Sequence, residues 1–415
     1  MNPEVVRSTK PSQRLLGLSL LLLLAAAGAR AQSGPPASVA FHSNRDGNSE
    51  IYVMDPDGSV QTRLTTDASN DQRADISPDG QRIAFASNRS GGHFEIFVMD
   101  SDGTDARQLT FTVAPVSNTW PRWSPNGDWI AFQSNVSGVA QIYVIRPDGS
   151  DLHQITNSAV NQFPAWSPDG TRLAVRRDAD IYVLDLIGGA DPVRLTTIGP
   201  LNQMASWSPD GKKIAFMSTR GAGNYPSVFV MNADGSDQID LTPKQDNGTG
   251  TWSSRAPAWS PNGEFLYFTG IRPDMLTEQI FVMRADGSEQ RRLTGAGVSA
   301  EATVRHIRPP SIASVTATPN VLWPPNGGMA RVAVNVGVSD DSDPAPACQI
   351  VGVTSNEAVA GPSWQLSGAL TVDLRAERFG FGNGRTYILD VRCTNSSGLR
   401  STATVSVSVP HDRGQ

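Results

Sequence analysis

The chain has 415 residues, 39% of them hydrophobic, with 40 acidic against 34 basic side chains and a formal charge of −6. That balance excludes nucleic acid as a partner, because neutralising phosphates requires clustered cations. Two cysteines and five scattered histidines leave little material for a metal cluster.

At the start, Arg7, Lys10 and Arg14 precede an apolar stretch from Leu15 to Ala27, and Ala29-Arg30-Ala31 supplies a small-x-small cleavage pattern. Residues 1–31 therefore read as a signal peptide, and the protein as exported to the periplasm or beyond. The stretch is shorter than the ~20 apolar residues of a spanning helix, so no membrane span is expected in the mature chain. Four of the 34 basic residues and one of the 40 acidic ones fall in 1–31, which leaves the remainder at −9.

From there to about Pro310 one phrase recurs roughly every 43 residues. A turn of the form Ser-Pro-Asp/Asn-Gly begins at Ser77, Ser124, Ser167, Ser208 and Ser260, spaced by 47, 43, 41 and 52 residues. Proline presets a negative φ and glycine takes the positive one, so each is a tight hairpin between strands. Continuously apolar runs such as Ile96-Phe97-Val98-Met99 follow, as expected for strands buried on both faces. Asp-Gly pairs at Asp57, Asp102, Asp148, Asp234 and Asp286 mark a second hairpin, and a Leu-Thr pair, Ile155-Thr156 in one copy, closes each phrase. A period of this length predicts a β-propeller of four-stranded blades, with the repeated acidic turns serving as hairpins and not as calcium loops.

Six third strands and six Leu-Thr or Ile-Thr endings predict six blades. The first copy begins at Ser38-Val39-Ala40-Phe41 without its innermost strand, so residues 302–308 are expected to complete it, with Ile307 standing where Ile76 stands in the second copy. That closure would bring His42 near His306, a neighbourhood read as structural.

The phrases Trp-Ser-Pro-Asp-Gly, Ile-Ala-Phe-x-Ser-x-Arg and Ile-Tyr-Val-Met-Asp resemble the TolB-like propeller repeat, a relative of the WD-type repeat, over about residues 37 to 309. The resemblance implies an exported scaffold whose propeller mouth docks a protein or peptide partner, such as an envelope lipoprotein. TolB proteins carry an α/β domain ahead of the propeller, whereas here the repeat follows the leader almost directly.

Residues 311–415 are written differently. Alternation in Arg331–Val338, Leu370–Leu374, Tyr387–Val391 and Ala403–Val409 predicts an immunoglobulin-like β-sandwich. Pro319–Asn326, Ala376-Glu377-Arg378 and Val409–Asp412 resemble a C-terminal bacterial Ig-like module of secreted proteins. Cys348 and Cys393 each lie on a predicted strand and are expected to form a cross-sheet disulfide. Asp340, Asp341 and Asp343 are dense enough to be considered for calcium, though no cofactor is expected.

The fold class is thus all-β: a six-bladed propeller over 32–310, then a sandwich. Neither a Gly-x-Ser-x-Gly elbow nor a His-Glu-x-x-His helix is written in the chain, and no enzyme is expected. Candidate binding residues stand in the stretches before the innermost strands: Arg73, Trp120, Arg122, Gln162, Gln203, Trp252 and Arg255. Trp120 and Trp252, outside the repeat's own tryptophan column at Trp123, Trp166, Trp207 and Trp259, are expected to face each other from loops across the mouth. Amides, arginines and indoles suit a peptide, or alternatively a polysaccharide in a lectin or lyase. The recurring Arg45, Arg89, Arg220 and Arg272 are expected to pair with carboxylates in their own blades.

Overall fold

The computed structural model describes residues 39–410 apart from 222–223, 244–252, 306–309, 341–342, 344, 358–362, 378–383 and 396–399. The leader read at 1–31, Trp252, His306 and Asp341 fall outside the described residues. The described chain is all-β, with no α-helix among these residues.

Between Val39 and Val304 it forms six four-stranded antiparallel sheets. One runs Asp71–Ile76, Arg82–Ser87, Glu95–Asp100 and Arg107–Gln108, and four more repeat this order after first strands Asn118–Trp123, Asn161–Trp166, Asn202–Trp207 and Ser253–Trp259. The remaining sheet takes its first strand from the far end. Ser299–Val304 pairs with Val39–Ser43, which is followed by Glu50–Met54 and Thr62–Arg63. Each first strand packs on the next, and Ser299–Val304 packs on both Ser253–Trp259 and Asp71–Ile76, so the first strands surround a central channel. This is a propeller fold.

The closing pair differs from expectation by three residues: Val304, not Ile307, occupies the column of Ile76, and 299–304 replaces 302–308. Spacing from the preceding Leu-Thr pair decides it. Thr294 leads Ser299 by about the same short loop that separates Thr65 from Asp71.

Turn chemistry acts as its residue types demand. In the second sheet, Ser77 O accepts from Gly80 N at 2.8 Å, and Ser77 Oγ accepts from Arg82 N at 2.9 Å. Gly80 adopts φ 73°, which a side chain would strain. At the second hairpin, the Asp57, Asp102, Asp148, Asp234 and Asp286 carboxylates each accept from the backbone N–H two residues on, at 2.8 to 2.9 Å.

The continuously apolar runs are explained by two-sided burial. Phe97 and Met99 face a core shared with Ala40, Ile51 and Val53, while Ile96 and Val98 between them face the core of the next sheet with Trp123, Ile130 and Phe132. Two of the four repeat tryptophans tie neighbouring sheets by hydrogen bonds. Trp166 Nε1 donates to Arg122 O at 3.1 Å and Trp259 Nε1 to Ser206 O at 3.2 Å, each carbonyl belonging to the preceding sheet.

After Ser311 two further sheets enclose one core. Ser311–Thr318, Met329–Ser339, Thr371–Arg375 and Trp364–Gly368 form one, and Ala347–Ser355, Arg385–Thr394 and Arg400–Val409 the other. Val332, Val334 and Leu374 meet Ile350, Tyr387, Leu389 and Val407 between them. Cys348 and Cys393 are joined by a disulfide. It links directly opposed residues on neighbouring strands of a single sheet, not the two sheets as expected. With the cysteines separated by 45 positions, such a bridge contributes about 2–4 kcal/mol by restricting the unfolded chain.

Candidate functional site

Every first strand around the channel is interrupted at the same place. In the second sheet Gln72 pairs with Ala86 and then Asp75 with Ala84, so two residues oppose one: a β-bulge. One bulge residue in each sheet has left-handed backbone: Arg73 (φ 58°), Trp120 (59°), Phe163 (54°), Met204 (56°), Ala256 (51°) and Glu301 (57°). None is glycine. A conformation that non-glycine residues rarely adopt, recurring in all six sheets, belongs to the repeat itself and re-aims one side chain per sheet.

Five of these residues, Trp120, Phe163, Met204, Ala256 and Glu301, line the channel, and Arg73 reaches in beside them. A second tier is formed by Asp75, Arg122, Ala165, Ser206, Ala258 and Thr303. Going round the upper tier, an apolar arc of Trp120, Phe163 and Met204 faces the charged pair Glu301 and Arg73 across a gap left by the small Ala256. The cavity between them is narrow, about 60 Å³.

Of the residues named from sequence, Arg73, Trp120, Arg122, Gln162, Gln203 and Arg255 all lie on first strands, not on loops. Trp120 is only 5% exposed. Its ring meets Phe163 edge-on at 4.7 Å, with the Arg73 and Arg122 guanidinium carbons 5.1 and 5.6 Å away. It is therefore a wall of the channel and not a loop-borne platform, because the bulge turns it inward. Gln203 accepts from Arg176 at 3.0 Å, and Gln162 stands half-buried opposite Arg176 in the strand register.

Sequence reasoning took His42 as structural beside His306 and missed Asp75, Glu278 and Glu301. Glu301 is buried and is the centre of the charged side: Arg255 Nη1 donates to its Oε1 at 3.0 Å, while Arg73 Nε lies 3.5 Å and His42 Nδ1 3.8 Å from its Oε2. Arg255 also donates to Glu278 at 2.7 and 3.0 Å. Burial by itself would raise the Glu301 carboxyl, but His42, Arg73 and Arg255 outweigh it and hold the group below the usual range. Burial dominates at His42 and lowers its imidazole. The column shared with Arg73 and Trp120 was the available signal, and the three-residue slip in the closing strand hid it.

Asp75 behaves in the opposite sense. Burial pushes it up to about 6, against smaller opposing effects from Arg122 and the Trp123 N–H, which it accepts at 2.7 Å. Its folded value stands above its ordinary 3.8, so ionising it costs stability, and that cost develops as pH rises from about 4 to about 6. Asp75→Asn should therefore gain on the wild type between pH 4 and pH 7.5 in urea-unfolding midpoints, by about 3 kcal/mol for a two-unit displacement. A difference between the two proteins that stays constant across that range would show that Asp75 does not titrate this way.

The recurring arginine has a wider partner set than carboxylates alone. Arg89 does meet Asp71 and Asp67, at 2.7 and 2.6 Å. Arg45, Arg220 and Arg272 donate to the amide oxygens of Gln61, Asn202 and Gln290. All four guanidiniums lie over a pair of aromatic rings, as Arg89 does over Phe85 and Phe97 at 5.4 and 5.0 Å. The cation covers an aromatic pair that would otherwise end in water, which needs no carboxylate.

In the C-terminal part, Asp340 accepts from Asn395 at 3.0 Å and Asp343 from Ala345 N at 2.9 Å. No group of three or more His, Cys, Asp or Glu side chains suited to a metal occurs among the described residues.

A profile of the TolB beta propeller domain matches residues 25–114 and 156–255. The propeller fold is of the TolB type. A protein described as a TolB homolog from Chlorobium luteolum is 33% identical over 155 residues, covering 36% of this chain and 34% of the relative. The Tol-Pal system protein TolB of Desulfosudis oleivorans is 31% identical over 120 residues, covering 29% and 26%. The matches thus span about a third or less of these two relatives' own length. The crystal structure of TolB from Acinetobacter baumannii superposes with a TM-score of 0.56 at 22% identity, covering 65% of this chain and 67% of that one, a likeness of fold alone. No helix among the described residues is long and apolar enough to cross a membrane.

Proposed function

We propose that the six sheets are the six blades of one TolB-type propeller, followed by an immunoglobulin-like sandwich, in an exported protein that acts by binding. The mouth of the central channel docks a protein or peptide partner in the cell envelope or outside the cell. The observation that carries this reading is the shape and lining of the channel: an apolar arc of Trp120, Phe163 and Met204 opposite Glu301 and Arg73, around a cavity of only about 60 Å³. A space of that size takes a side chain or chain end presented by a larger partner, not a sugar ring with its neighbours. The polysaccharide reading is weakened at Trp120, whose ring is packed against Phe163, Arg73 and Arg122 and is nearly buried, leaving little surface for a sugar to stack on.

The test is capture from envelope and medium fractions on the immobilised mature chain, beside Arg73→Ala and Arg255→Ala, whose side chains are partly exposed at the mouth. A polypeptide retained by the wild type and weakened at least tenfold by either variant is expected. Equal retention by all three proteins would move the docking surface off the channel, and selective retention of polysaccharide would replace the reading.

A further inference from the structure

Three polar atoms converge beneath the mouth with nothing to bond. His42 Nδ1, Arg73 Nε and Glu301 Oε2 are each buried and without a hydrogen-bond partner. Both Arg73 Nε and His42 Nδ1 stand around Glu301 Oε2, at 3.5 and 3.8 Å, too far or too poorly aimed to bond it. His42 and Glu301 are more than nine-tenths buried, at 8% and 7% exposure. Leaving such atoms unsatisfied is costly, so a group that bonds all three would be held strongly.

The required chemistry can be read from the atoms. Arg73 Nε–H can only donate and the Glu301 carboxylate can only accept, while the imidazole can do either. A ligand group must therefore accept from Arg73 and donate to Glu301. Charge argues against an ion. Among the described residues around Glu301, Arg73, Arg122 and Arg255 are matched by Glu301, Glu278 and Asp75, so the subsite itself has no uncompensated cation or anion to neutralise. Trp120, within 5.1 Å of the Arg73 guanidinium, gives the group an apolar wall.

We propose that His42, Arg73 and Glu301 form a subsite for one neutral donor–acceptor group, a primary carboxamide or a hydroxyl, presented by the docked partner. This deepens the docking reading and rests on it for the source of the group, but the subsite can be tested without any partner.

The probes are acetamide and methanol for the neutral chemistries, with acetate and methylammonium as charged counterparts. They are titrated into the intact mature protein while the His42 ring nitrogens are followed by NMR; five histidines in the chain keep the spectrum tractable. One neutral probe is expected to move the His42 signals saturably, and which of the two does so distinguishes carboxamide from hydroxyl. The charged probes should leave them unsaturated over the same range. Arg73→Met should weaken the neutral probe at least tenfold; because Arg73 is partly exposed, this variant serves even if Glu301→Gln fails to fold. No saturable response to either neutral probe, or an equal response to acetate or methylammonium, overturns the proposal. Either result leaves partner capture unaffected, so the two readings fail separately.

Discussion

A chain stopped after Gly295 should lose the propeller's cooperative unfolding transition, whereas one stopped after Pro310 should keep it. The difference between the two is the strand Ser299–Val304, all six residues of which are buried. Without it Val39–Ser43 becomes an unpaired edge, and the ring of first strands opens between Ser253–Trp259 and Asp71–Ile76. Glu301 goes with it, which leaves Arg255 without its 3.0 Å partner and Arg73 without its facing charge in a buried setting. Removing one side of a buried ion pair costs ~3–5 kcal/mol, and burial of a side chain such as Val304 about 1.5–3 kcal/mol. Together with the lost ladder these approach the ~5–15 kcal/mol that a domain has in total. Thermal unfolding followed by circular dichroism would read the outcome. Equal melting of the two truncated chains would refute closure of the first blade by this strand, and with it the six-bladed ring.

Trp120→Ala should be the most damaging single change at the mouth, costing about 3–5 kcal/mol as a core truncation. The indole fills the wall between the second, third and fourth sheets, touching Phe163 edge-on and lying under two guanidiniums. Its loss leaves a void in a wall closed on three sides, and Arg73 loses the ring that orients it toward Glu301. Urea denaturation of the variant at neutral pH checks the magnitude. A change below 1 kcal/mol would mean that the indole is free to leave the wall, as a loop-borne residue would be. Trp120→Phe separates packing from the cation–aromatic contacts: it should recover most of the stability while still weakening any partner that touches Arg73.

Much of this protein is local physics and was legible in the chain. The Ser-Pro-Asp-Gly turns close through bonds within five residues, as between Ser77 and Arg82, and the Asp-Gly turns within two, as between Asp57 and Ser59. A run such as Ile96-Phe97-Val98-Met99 can be apolar throughout only if both faces are covered, which predicts neighbouring sheets before any are seen. The alternation after Ser311 predicts half-buried strands for the same reason, and two cysteines on such strands predict a bridge.

What the tertiary structure decided is everything that depends on residues far apart in sequence meeting at the axis. His42 and Glu301 are brought together by closure of the ring, and no periodicity within one repeat records that contact. The bulge that turns Trp120 inward is a two-against-one pairing, so it exists only once the partner strand is in register. A three-residue slip in the closing strand therefore concealed Glu301, and reading the stretches before the first strands as loops mistook channel wall for rim. Repeat chemistry specifies the blade because its partners are near in the chain; the site is specified by the ring, where six copies that differ at one column are set face to face.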